Sequence, residues 1–110
     1  MLRIVDNSIT LTRGDSAYIN IVPLTPSGDV YELESTDRIY FTLRRSPKKD
    51  NNSNPPLIEK TFWENAIKID PKDTQFLNYG KYYYDVELIF KNGDISTLCS
   101  GTFTISYEIR

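Results

Sequence analysis

No histidine occurs among the 110 residues. Without an imidazole the chain has no His general base, no His metal ligand and no Ser-His-Asp or Cys-His arrangement, which removes most hydrolase chemistries. The single cysteine, Cys99, has no partner for an intramolecular disulfide and reads as a small hydrophobe on the inward face of a strand. Long apolar runs are missing too. No stretch approaches the roughly 20 apolar residues of a membrane-spanning helix, and the N-terminal MLRIVD lacks the apolar core of a secretory signal, so synthesis and folding in the cytoplasm are expected. Nor is there a basic surplus. A net charge of −2 with both signs interspersed argues against a general nucleic-acid binder or an anionic-membrane binder.

What is present points to strands. The length fits one domain, residues 1–110, and eight Tyr with five Phe tilt the propensity toward β structure. The most legible stretch is Gly80 to Tyr107, where two apolar-periodic runs flank Asn92-Gly93. A two-residue type I′ loop there pairs Lys91 with Asp94, Phe90 with Ile95, Leu88 with Thr97, Val86 with Cys99, Tyr84 with Gly101 and Tyr82 with Phe103, with no bulge. That register gathers Tyr82, Tyr84, Val86, Leu88 and Phe90 with Ile95, Cys99, Phe103, Ile105 and Tyr107 on one apolar side. Gly101 leaves room for the Tyr84 ring opposite it.

Upstream, Ile9–Thr12 and Ala17–Leu24 read as short strands separated by Arg13-Gly14-Asp15. Pro26-Ser27-Gly28-Asp29 reads as a turn, and Val30–Leu33 as a short edge strand. Arg38–Arg44 alternates cleanly, with Ile39, Phe41 and Leu43 inward. The run RSPKKDNNSNPP, residues 45–56, has no apolar residue beyond its prolines and predicts an exposed, mobile loop. Leu57–Phe62 and Ala66–Ile69 follow as strands. Asp70-Pro71-Lys72-Asp73 then starts a helix of one or two turns, with Phe76, Leu77 and Tyr79 placed to plug it onto the core. The expected fold is an all-β immunoglobulin-like sandwich of seven to eight antiparallel strands, with one short helical turn near residues 71–77. A small barrel is the alternative.

Chemistry-bearing groupings are few. Asp70 with Asp73 and Asp85 with Glu87 are the closest carboxylate pairs, but the first fits helix capping and the second a solvated strand face. No acidic spacing matches a Ca²⁺ loop, so neither metal nor other cofactor is expected. Arg13-Gly14-Asp15 spells the integrin tripeptide at a position that requires a turn anyway. Asn51-Asn52-Ser53 matches a glycosylation sequon. Arg44, Arg45, Lys48 and Lys49 form a basic cluster, suited to solubility or to an acidic partner. The expected register also puts Tyr83, Ile89 and Leu98 together on the outer hairpin face, more apolar than a solvated face needs and therefore a candidate contact surface.

Taken together, Ile9–Asp15, Ile39–Arg44, Ile67–Thr74, Tyr79–Val86, Asn92-Gly93-Asp94 and Gly101–Ile105 resemble the small immunoglobulin-like virion proteins of tailed bacteriophages and prophages. They are similar to the N-terminal domains of baseplate upper proteins and head-fibre proteins. The resemblance implies a non-enzymatic structural protein of the virion, a tail or baseplate adaptor or a head decoration. Its partners would be other virion proteins and further copies of itself, with no role for nucleic acid or membrane. A carbohydrate- or receptor-binding module that presents the Tyr-rich surface and polar loop to a glycan is the alternative.

Overall fold

A computed structural model describes residues 2–48, 50 and 52–107; Lys49 of the basic cluster, Asn51 of the sequon and the chain end at Arg110 lie outside the described residues. In chain order the elements are β1 (Leu2–Val5), β2 (Ser8–Thr12), β3 (Ala17–Asn20), β4 (Arg38–Arg44), β5 (Ile58–Phe62), β6 (Ala66–Ile69), α1 (Pro71–Thr74), β7 (Gly80–Ile89) and β8 (Ile95–Ser106). They make an all-β sandwich in which a six-stranded sheet, ordered β1-β2-β8-β7-β4-β5, faces a two-stranded sheet of β3 and β6. The period-two pattern explains the shared core. Buried Tyr82, Tyr84, Val86 and Leu88 alternate along β7 with half-buried outer residues, and Ile39, Phe41 and Leu43 do the same work on β4. Phe41, Tyr84 and Phe103 meet at centroid distances of 6.1–6.5 Å, and each such ring buried contributes about 1.5–3 kcal/mol. Among the described residues no helix is long and apolar enough to cross a membrane.

The β7–β8 ladder follows the expected register from Tyr82–Phe103 through Tyr84–Gly101 to Val86–Cys99, then departs from it. Leu98 is inserted as a bulge, so Glu87 faces Thr97, Leu88 faces Ser96 and Ile89 faces Ile95. The cause lies at the turn. Gly93 N–H donates to the Phe90 carbonyl and Phe90 N–H to the Asp94 carbonyl, both at 2.9 Å, and within this loop only Gly93 has positive φ, +93°. This is a type I turn followed by a left-handed glycine, a three-residue loop in place of the expected type I′ pair. The longer loop moves the pairing by one residue and the bulge moves it back. Between the two shifts the facing inverts: Ile95, expected inward, is exposed, and Leu98, expected outward, packs against the core. Tyr107 is also exposed, its ring 4.1 Å from that of Tyr79.

A type I′ turn does occur, at Asp6-Asn7, where φ is +47° and +65° between the paired residues Val5 and Ser8. It joins β1, a strand the sequence reading did not anticipate, to β2. β2 runs parallel to β8, with Ile9 beside Phe103 and Leu11 beside Ile105, so the sandwich is not wholly antiparallel. Strand periodicity reports which face is buried and carries no record of a distant neighbour's direction.

Three connections differ from expectation. Val30–Leu33 makes no strand, only a single bridge from Val30 to Leu24. β5 and β6, although consecutive, belong to different sheets, and Asn65 between them accepts a 2.8 Å bond from Ile21 N–H. Phe76 is 84% exposed instead of plugging the helix, while Leu77 and Tyr79 pack on the core. The helix start is as read: Pro71 opens the turn and Asp73 accepts from Asp70 N–H at 2.7 Å. At the start of β7, the Tyr82 hydroxyl donates to the Asn78 carbonyl at 2.8 Å.

Candidate interaction surface

The outer face of the large sheet holds Arg44, Tyr83 and Ile89 of the candidate contact residues, and it separates Ile89 from the other two. The rows across β4, β7 and β8 are Arg44–Tyr83–Thr102, Thr42–Asp85–Ser100 and, at the far end, Arg38–Ile89–Ile95. Tyr83 and Ile89 therefore share this face about 20 Å apart, with Asp85 and Glu87 between them. Leu98 has left it for the inside. The expected apolar patch is thus dispersed by the bulge. Tyr83 instead borders a cleft of about 310 Å³ with Arg44, Ser46, Pro47, Asp85 and Thr102.

The basic cluster is likewise divided. The Arg44 Nε–H donates to the Asn54 carbonyl at 3.2 Å, which makes it part of the loop's framework, whereas Arg45 and Lys48 are exposed. Composition predicted an exposed, mobile loop here. Its surface is exposed, but Asn54 is buried at its centre and organises it. The Asn54 side chain donates to the carbonyls of Ser46, at 2.8 Å, and of Lys48, and accepts from Ser46 N–H at 3.3 Å. Asp50 ties the tip by accepting from Asn52 N–H and the Ser53 hydroxyl at 3.0 and 2.8 Å, and these bonds hold its carboxyl below its ordinary pKa, the Ser53 hydroxyl foremost.

Sequence reasoning missed an exposed apolar strip beside the small sheet. Tyr18, Val22, Leu24 and Val30 are 62%, 61%, 59% and 60% exposed. Alternation along β3 and its extension puts Tyr18, Asn20, Val22 and Leu24 on one side, and the Leu24–Val30 bridge adds the last. The tongue behind them is fastened by Thr25, whose N–H reaches the Asp29 carbonyl at 2.7 Å and whose carbonyl accepts from Gly28 at 2.8 Å. The signal was in the sequence: AYINIVPL, residues 17–24, is uncharged, and its outward set includes the apolar Val22 and Leu24 beside Tyr18 and Asn20.

The two edges of the small sheet are treated differently. On the β6 side, Lys60 crosses from β5 and donates to the Lys68 carbonyl at 3.1 Å while pairing with Asp70 at 3.0 Å and with Asp73. Burial pulls the Lys60 pKa down, but its bonds to Asp73 and Asp70 outweigh this and raise it. The bond from Lys60 in turn lowers the Asp70 carboxyl, against a smaller effect of burial, with the charges of Lys68 and Lys72 assisting. The Asp70–Asp73 pair is thus engaged in capping and ion pairing. On the β3 side lies an open apolar groove of about 240 Å³ between the sheets, lined by Ile9, Ile19, Ile21, Val86, Leu98 and Cys99. Cys99 is half-buried there, and burial, helped by the Asp85 charge, pushes its thiol pKa up.

Arg13-Gly14-Asp15 is built into the fold. Gly14 N–H donates to the Thr74 hydroxyl at 2.8 Å, Arg13 N–H to Ser106, and the Arg13 guanidinium stacks 4.2 Å over Tyr79. Among the described residues no group of three or more Cys, Asp or Glu is placed to hold a metal ion. Comparison with protein-family models, with curated proteins and with solved structures finds no match to this chain.

Proposed function

We propose that this chain is a non-enzymatic structural protein of a tailed-phage virion, a tail or baseplate adaptor or head decoration, that works in multiple copies through protein–protein contacts. The observation that carries this reading is the exposed strip of Tyr18, Val22, Leu24 and Val30 on a small sandwich, because an apolar strip of this kind on such a protein marks a contact site. The immunoglobulin-like reading draws support from a last strand flanked by β7 and by a parallel N-terminal strand, and from the Tyr82 hydroxyl bonded to Asn78. That bond has the form of the tyrosine corner of such sandwiches, a hydroxyl at the start of the penultimate strand reaching main chain a few residues upstream.

The test is composition. In particles purified by density gradient from a lysate of the host, mass spectrometry is expected to recover the chain as a multi-copy component. Its confinement to the soluble fraction, with none in the particles, overturns the reading.

A further inference from the structure

Ile21 N–H bonds Asn65 of the β6 side, and the register pairs Ile19 with Ile67 and Ala17 with Ile69. In an antiparallel ladder alternate residues bond the same neighbour, so the N–H and C=O groups of Tyr18, Asn20 and Val22 point the other way, along the free edge of β3. Among the described residues no main-chain partner reaches them. An edge of this kind is normally blunted by charge or by proline within it. The β6 edge is blunted by Lys60. The β3 edge and its extension carry no charge from Ala17 to Leu24, the one proline, Pro23, lies past Val22 with its carbonyl turned to Tyr31 N–H, and the edge lies beside the open groove.

Building on the assembly role above, we propose that a second copy of this chain pairs its own β3 antiparallel against this edge, about a two-fold axis at Asn20. The strand is complementary to itself in that register. Asn20 faces Asn20 of the other copy, Tyr18 faces Val22, and Ile19 faces Ile21. Tyr18, Asn20 and Val22 exchange main-chain bonds with their opposites, and the exposed Tyr18 and Val22 cover each other as aromatic–β-branched pairs. The isoleucines of the incoming strand lie over the groove that Leu98 and Cys99 line. An uncharged edge brings no like charges together when two copies of an acidic protein meet. The product is one sheet running β6-β3-β3-β6 through both copies.

Cysteine cross-linking of the full chain in a Cys99→Ala background tests the register. Residues opposed in a hydrogen-bonded pair have Cα atoms about 5.5 Å apart, within disulfide range. Under mild oxidation at low micromolar concentration, Asn20→Cys is expected to give a covalent dimer at least tenfold faster than the exposed control Glu64→Cys. Tyr18→Cys is expected to link only when mixed with Val22→Cys. In sedimentation, the wild-type chain is expected to show a concentration-dependent dimer that Val22→Lys weakens at least tenfold, with the circular dichroism spectrum unchanged. A wild-type chain that stays monomeric, with Asn20→Cys linking no faster than the control, overturns the pairing. A dimer that forms while Asn20→Cys fails to link overturns the β3 edge as its seat. Either result leaves the virion role to be judged separately by the composition of purified particles.

Discussion

The Tyr84 hydroxyl donates a 2.6 Å hydrogen bond to the main-chain carbonyl of Asn7, 77 residues earlier in the chain. The same carbonyl lies 2.3 Å from where a Cβ on Gly101 would be, so one atom of the N-terminal turn is clamped between β7 and β8. Tyr84→Phe is expected to cost about 1 kcal/mol by releasing it. The phenol is pushed up to about 12, by burial first and then by neighbouring Cys99. A folded-state value above the unfolded one means stability that is intact below about pH 10 and lost as the pH rises toward 12. The variant's stability should therefore fall less steeply over that window. Urea midpoints check both: an identical alkaline fall in the two proteins would count against the raised phenol, and identical midpoints at neutral pH against the clamp.

Gly101→Ala meets main chain instead of a flexible side chain, because the nearest atoms are Asn7 O and C, with Tyr84 Cε1 at 3.3 Å. The expected cost is on the order of 1–3 kcal/mol, accompanied by faster amide exchange in the β1–β2 hairpin as it is pushed away. Loss of stability without change at the hairpin would place the strain elsewhere.

At the Asp6-Asn7 turn both residues occupy the left-handed region. Asn7→Gly should raise the thermal midpoint slightly, and Asn7→Val should lower stability by about 1–2 kcal/mol. Gly93→Val, at φ +93°, should cost a similar amount. Melts of the three variants decide the matter: a neutral Asn7→Val would refute the turn assignment.

Loop order around Asn54 predicts a protease phenotype. Asn54→Ala removes the bonds to Ser46 and Lys48 and should speed tryptic cleavage at Arg45 and Lys48 severalfold relative to wild type. Equal cleavage rates would show that the side chain does not hold the loop.

Lys60 links two pH limbs. Asp70, lowered in the fold, contributes stability above the ordinary carboxylate range that is lost as the pH falls through its folded value. Lys60, raised in the fold, contributes below the ordinary lysine value and loses that contribution as the pH rises above it. Lys60→Met should flatten both limbs, as read from denaturant midpoints at about pH 3, 7 and 11. An acid limb as steep as that of the wild type would sink the assignment.

Much of the fold was legible in residues whose period and burial agree. β4 appears with the expected ends, and the inward set of β7 and the pairs from Tyr82 to Val86 stand as read. The misreadings trace to single residues. Asn92-Gly93 is the commonest type I′ signal, but a turn one residue longer satisfies the same glycine, and that residue decided the facing of Ile95 and Leu98. Polar composition concealed the buried role of Asn54, since a side-chain amide serves main-chain partners as readily as water. The β3 strip escaped notice because alternation directs attention to the inward residues, and its evidence lies in what the outward ones lack.

The Thr102 hydroxyl donates to that of Ser8 at 3.2 Å across 94 residues of sequence, beside the parallel pairing of β2 with β8. On a ribosome adding about 5–20 residues per second, β2 emerges roughly 5–20 s before its neighbour exists. During that delay Ile9 and Leu11 face solvent, and closure of the ladder must then meet the entropy of a loop nearly as long as the chain, the condition for slow folding. Synthesis that stalls before β8 leaves β2 paired to β1 alone, with its other edge open, so the yield of native protein depends on how promptly the last segment arrives.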